Sequence, residues 1–151
     1  MNAPMKRHPA LVALSRDHHD GLVIAQVLKH DVPAYRGMPD LPKDRLDFFK
    51  AKLVTALRPH FELEEKTLFP LLRNRDPKID HLLDNLIVEH RELENAALIP
   101  SDDPDLEMRL DTAGRLLERH IRSEERELFQ WAQAHLSGQE LQMISEAFGA
   151  R

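Results

Sequence analysis

Two stretches of the chain carry residues that could hold a metal ion. In His60-Phe61-Glu62-Leu63-Glu64-Glu65-Lys66-Thr67-Leu68-Phe69, a His and a Glu stand four residues apart. The pattern returns in His120-Ile121-Arg122-Ser123-Glu124-Glu125-Arg126-Glu127-Leu128-Phe129, at a constant offset of 60 residues. On an α-helix a four-residue step puts two side chains on one face, one turn apart. An imidazole nitrogen and a carboxylate oxygen then point to the same place. One such pair is often just a solvated helix pair. Two copies, each embedded in an apolar helical stripe, suggest two halves of one metal site.

A second repeat supports this. Asp17-His18 and Glu89-His90 are both acid-His pairs with a leucine four residues before the His, Leu14 and Leu86. The chain therefore reads as two copies of one helical hairpin, each supplying a His and then His-x-x-x-Glu. The candidate ligands are His18, His60, Glu64, His90, His120 and Glu124. Each falls on the apolar stripe of its helix. A carboxylate or imidazole facing a core is costly unless its charge and hydrogen bonds are met, and a metal ion meets that need. Two carboxylates and four neutral imidazoles suit two divalent ions, with each Glu able to bridge. Coordination positions would stay open for a small exogenous ligand. The mixed donor set favours iron, with zinc and manganese as alternatives.

The remaining histidines are placed differently. His19 competes with His18 but lies ~100° round the helix, off the stripe that carries Leu14 and Ala25. His8, His30 and His135 sit at or beyond helix ends, and His81 is too far along its helix to share a metal with His90. Glu65 and Glu125 step off the stripe, as surface charges or as groups that hydrogen-bond the ligands.

Four long amphipathic helices must position these residues. The first spans roughly Ala10 to His30, with Leu11, Leu14, His18, Leu22 and Ala25 on one face. A Pro/Gly-rich loop follows. The second starts near Pro42, and Pro59 inside it predicts a kink just before His60. Asp76-Pro77 reads as an N-cap with proline in the first turn, opening a third helix to about Leu98. Asp103-Pro104 repeats that start for a fourth helix, to about Leu136. Ser137-Gly138-Gln139-Glu140 fits a capping box that opens a short fifth helix to Phe148. No convincing strand is found. The expected fold is all-α: an up-down-up-down four-helix bundle with a short C-terminal fifth helix. Residues 1–9 form an N-terminal tail, and 10–151 the bundle domain.

Composition narrows the class. The 151 residues fit one domain, with 42% hydrophobic and 31% charged residues, as in a globular protein with charged helix faces. The formal net charge of −5 and the absence of a basic cluster argue against a nucleic-acid partner. No cysteine is present, which removes disulfides and thiolate metal sites. No stretch is long enough to span a membrane. Arg16, Asp17, His18 and His19 interrupt the apolar run that a signal peptide would need, so the cytoplasm is the expected compartment.

The set His18 … His60-Phe61-x-x-Glu64-Glu65-x-x-Leu68-Phe69-Pro70 … Glu89-His90 … His120-Ile121-x-x-Glu124-Glu125-x-x-Leu128-Phe129 resembles the hemerythrin-like, or HHE cation-binding, family. The match runs from about Leu11 to Leu136. The resemblance implies a four-helix bundle around a non-haem di-iron centre. His18, His60, His90 and His120 would be terminal ligands, with Glu64 and Glu124 bridging two irons. Two positions depart from the oxygen-carrying hemerythrins. Glu94 stands where they have a histidine one turn after that of the third helix, and Glu124 where they have an aspartate. Here the chain is more similar to bacterial hemerythrin-like and iron-sensing branches. The expected function is to bind or react with a small diatomic ligand or peroxide, in sensing, iron handling or stress response. A di-iron enzyme with peroxidase-like or nitric-oxide-reducing turnover is the alternative, and an interaction bundle with a structural metal is a further one. No acid, base or nucleophile stands apart from the ligands to decide for turnover. Glu94 is either a solvated residue or a further group on the metal held by His90 and His120.

Overall fold

The structure, a computed structural model, describes residues 6–33 and 36–150. Residues 1–5 of the expected tail, residues 34 and 35 of the Pro/Gly-rich loop, and residue 151 lie outside the described residues. Among the described residues all regular structure is helical. A 3₁₀ turn, Pro9–Leu11, leads into α1, Val12–Leu28. Helix α2 fills 42–72 as Pro42–Lys52, a π turn Leu53–Leu57, Arg58–Leu63, a second π turn Glu64–Leu68, and Phe69–Leu72. Helix α3 is Pro77–Ala96. Helix α4 fills 106–135 as Leu106–Ser123, a π turn Glu124–Leu128, and Phe129–His135. Helix α5 is Gly138–Gly149.

The prolines of α2 explain two of the π turns. Pro59 and Pro70 each lie two residues past the end of one. Proline has no N–H to donate to the turn before it. Here the chain widens so that the Arg58 N–H reaches the Leu53 carbonyl and the Phe69 N–H the Glu64 carbonyl, and the helix continues. The third π turn has no such cause, since Gln130 stands where Pro70 does in the repeat. What the two repeat copies share is a π turn that opens on the candidate ligand itself, Glu64 or Glu124. Such local widening is common where a helix serves a functional site.

The helix starts follow local chemistry. Asp76 accepts from the N–H groups of Lys78 and Ile79, as an N-cap should. Ser137 and Glu140 form the expected capping box. Asp103 behaves differently from Asp76, and α4 begins only at Leu106. The Asp103 side chain takes the Asp105 N–H (2.7 Å) and its carbonyl takes the Leu106 N–H. These bonds close a turn at Pro104-Asp105 before helical geometry sets in.

The core is split. One apolar cluster gathers Leu11, Leu14, Leu68, Phe69, Leu86 and Leu128 with Leu141, Ile144 and Phe148 of α5. The other gathers Ile24, Leu57, Phe61, Leu93, Leu117 and Ile121. All six candidate ligands lie, along their helices, between residues of the two clusters. Helices α1 and α3 pass from the first cluster to the second, and α2 and α4 pass the other way.

Helix α1 packs against α4 and α2, and α3 packs against α4. The α1–α4 approach is close because of two glycines absent from the expected core face. A Cβ at Gly114 would stand 2.7 Å from the Ala25 carbonyl oxygen and 2.9 Å from Leu28 Cβ; one at Gly21 would stand 2.7 Å from Ile121 Cδ1. Leu22, expected inward, is turned to solvent. The stripe instead runs through Leu14, His18, Gly21, Ala25 and Leu28.

The Gly114 contact is with backbone, which cannot swing away. Gly114→Ala is therefore expected to cost about 1–3 kcal/mol in urea unfolding. The same change at the exposed Gly138, where nothing lies within 4 Å, should cost much less.

Candidate metal centre

Each of α1–α4 delivers one histidine to the layer between the clusters, and α2 and α4 each add a glutamate one turn on. His18, His60, His90 and His120 are all buried, and Glu64 and Glu124 are wholly so. They form two overlapping groups, His18–His60–Glu64–Glu124 and His90–His120–Glu64–Glu124. Within each group, one ligand atom from every residue lies within 4.8 Å of the others. The glutamates belong to both. Glu64 sets Oε2 3.4 Å from His60 Nε2 and Oε1 3.2 Å from His90 Nε2. Glu124 sets Oε2 3.3 Å from His18 Nε2 and Oε1 2.6 Å from His120 Nε2. Each carboxylate thus turns one oxygen to each group, as a bridge between two ions would.

None of these atoms has a hydrogen-bond partner outside the set. The four Nε2 atoms and all four carboxylate oxygens are buried and face only one another. Buried polar groups are almost always paired, so eight such atoms converging on one place describe a donor set that fits metal ions.

The other ring nitrogens are fully engaged. His60 Nδ1 donates to Asp17 (2.7 Å), His90 Nδ1 to Glu65 (2.7 Å), His120 Nδ1 to Glu89 (2.8 Å) and His18 Nδ1 to Glu125 (3.0 Å). The bonds run from α1 to α2, α2 to α3, α3 to α4 and α4 back to α1. They close a ring around the bundle. A carboxylate can only accept at Nδ1, so each Nε2 is the nitrogen free for a metal. Arg91 pairs with Glu65, and Arg7 and Ser15 hold Glu125. Aromatic rings fix the imidazoles as well. Phe61 and Phe69 stack on His90, with centroids 4.0 and 5.9 Å away, and Phe129 stacks on His18 at 5.2 Å.

The outcomes for single residues are clear. All six expected ligands meet. His19 is exposed, while helix phase places His18 in the first group. Glu94 belongs to neither group and pairs with Arg91 (3.1 Å) near the surface. Glu65 and Glu125 hold the candidate histidines His90 and His18. Asp17 and Glu89 add to the expected set, each holding a histidine of a neighbouring helix. Their signal was available, since an acid directly precedes the histidine in both copies.

A family model, the hemerythrin HHE cation binding domain, matches residues 10–132. The chain belongs to that family. No curated protein and no solved structure matches the chain. The match covers all six members of this hemerythrin-like centre and all four carboxylates that hold its histidines.

Without metal, the centre binds protons. Burial disfavours charge on His18, yet the carboxylates of Glu124 and Glu125 outweigh it and hold its pKa at about 9. His120 is likewise at about 9: burial is overcome by Glu124 and Glu89. His90 goes the other way, to about 2, through burial and the neighbouring His120. Burial and the facing charge of Glu124 raise Glu64 well above the carboxylate range. For Glu124 burial opposes ionisation, but His120 and the other groups around it prevail and its pKa falls well below that range. Glu64 therefore holds a proton far more tightly than Glu124 does.

Metal must displace these protons. His18 and His120 are charged at neutral pH, with pKa values raised from 6.5 to about 9. Each proton displaced makes affinity rise about tenfold per pH unit while pH is below that pKa. Metal affinity, measured by chelator competition, should therefore climb steeply between about pH 6 and pH 8. A flat profile would show that protons on His18 and His120 do not compete with the metal over this range.

Proposed function

We propose that the chain is a non-haem di-iron protein, an up-down-up-down four-helix bundle acting in the cytoplasm, that binds or reacts with a small diatomic ligand or a peroxide. One observation carries the reading: two four-residue donor groups share both glutamates, and no atom aimed inward has a partner outside the set. The opposite order in which successive helices cross the two apolar clusters supports the alternating bundle.

His18 and His60 would hold one ion, His90 and His120 the other, and Glu64 and Glu124 would bridge. Four donors per ion, two of them shared, leave each ion short of the six that iron commonly takes, and oxygen-nitrogen sets suit iron. Bound iron would supply electrons and open coordination positions. The chain's own part is to orient the imidazoles through the carboxylate ring and to keep bulk water off the centre with the two apolar clusters. A cavity of about 510 Å³, lined in part by His18, His60 and His120, gives a ligand access from one side.

Elemental analysis after anaerobic iron loading should find two metals per chain. His60→Ala and Glu124→Ala should lose metal, and His135→Ala and His19→Ala should keep it. One metal or none at full loading would sink the proposal. Because metal binds only the folded ligand set, the loaded protein should melt at higher temperature than the metal-free one. Equal melting temperatures would contradict it. Glu89→Gln should keep the fold but release His120 from its carboxylate, lowering metal affinity about 10–100-fold in chelator titrations.

A further inference from the structure

The two halves of the centre are related by the sequence repeat, but among the described residues a large cavity reaches the centre from one side. The cavity of about 510 Å³ lies beside α1, α2 and α4 and reaches His18, His60 and His120. A related cleft between α3 and α4, lined by Glu92, Ala96, Ala113 and Leu116, touches none of the six ligands. Substitutions between the copies explain the difference. Gly21 stands where the other copy has Leu93, Ala56 where it has Leu116, and Ile121 where it has Phe61. Leu93 and Phe61 are buried, and Phe61 lies flat on His90. Among the paired lining residues Ile24 goes the other way, against Ala96, without closing the cavity. The repeat is thus broken by smaller side chains on the side where the cavity reaches the histidines.

The size of the cavity is informative. A diatomic molecule is about as large as one water, which takes ~30 Å³. A cavity more than ten times larger is in the range of small-molecule sites, roughly 300–1,000 Å³. Its walls include Ile24, Leu57, Phe61, Leu117, Ile121 and Phe148, so most of the lining is apolar. The polar end is the imidazole set. Asp17 and Asp20 also line it, and Asp20 is exposed, so a carboxylate side chain faces incoming ligand. The chain as a whole carries a net charge of −5. At the cavity mouth both features disfavour the entry of an organic anion.

Resting on the di-metal reading above, the geometry points to a neutral organic hydroperoxide as the ligand of this cavity. Oxygen, nitric oxide and hydrogen peroxide have no body to fill it. An organic hydroperoxide has an apolar body for the aliphatic and aromatic walls and an uncharged oxygen head for the histidine end. Gly21, Ala56 and Ile121 set the size that can enter.

The test uses protein loaded with zinc, which is redox-inert, so the peroxide is bound and not consumed. Metal content is measured first. Calorimetric titration with cumene hydroperoxide should give binding about tenfold or more tighter than hydrogen peroxide, and tighter than benzoate, a charged molecule of similar bulk. Ile121→Phe copies the closed half. Ala56→Trp narrows the cavity from a half-exposed position where the fold tolerates bulk. Each should weaken cumene hydroperoxide binding about tenfold or more by occupying its space, with metal content and melting temperature as checks on folding. If Ile121→Phe fails to fold, Ala56→Trp carries the comparison. Equal binding of the two peroxides, tighter binding of benzoate, or unchanged binding in a folded, loaded Ala56→Trp protein would overturn the inference. A protein that takes up no metal would overturn the reading beneath it instead.

Discussion

Each histidine of the centre is gripped at Nδ1 by a carboxylate from another helix, and much else in the structure depends on that grip. The four bonds, at 2.7–3.0 Å, fix the ring tautomer and aim Nε2 inward. They also tie the four helices into a closed circuit at one level of the bundle. The aromatic rings add orientation without adding charge. Phe61 and Phe69 hold His90 from its faces, and Phe129 holds His18. The imidazoles are therefore set by residues outside the candidate donor groups.

The cost of this arrangement is the buried charge at the middle. Two carboxylates and four imidazoles in a layer between two apolar clusters cannot all take their ordinary protonation states. Burial and mutual repulsion raise Glu64, while Glu124 is held ionised among the histidines. His18 and His120 go up and His90 goes down. Near-equivalent residues are driven apart because one proton set must serve a crowded site. Divalent ions would remove that conflict by replacing protons with charge that every candidate ligand can face.

The backbone is adapted to the same end. Both His-x-x-x-Glu segments pass into a π turn at the glutamate. With the glutamate directed at the centre, the next residue reaches sideways to a histidine on the neighbouring helix: Glu65 to His90 and Glu125 to His18. Two successive carboxylates thereby serve two histidines on different helices. The proline that accompanies one π turn and not the other is a local accommodation.

The sequence by itself determined the all-helical class, most helix starts, the family and the six candidate ligands. These are legible because helical periodicity and the 60-residue repeat act locally: His60 and Glu64 share a face whatever surrounds them. Only the tertiary structure decided the rest. His18 prevails over His19 because of the phase α1 adopts against α4, which Gly21 and Gly114 allow by close approach. Leu22 is outside for the same reason. Asp17 and Glu89 stand beside their histidine in sequence, but each serves a histidine on another helix, and no local pattern reports which helix is adjacent. Asp103 looked like Asp76, yet its bonds close a turn instead of starting a helix, because the chain turns there before α4 packs. The cavity depends on Gly21, Ala56 and Ile121 meeting across three helices. That juxtaposition is a long-range property of packing, and a linear pattern does not contain it.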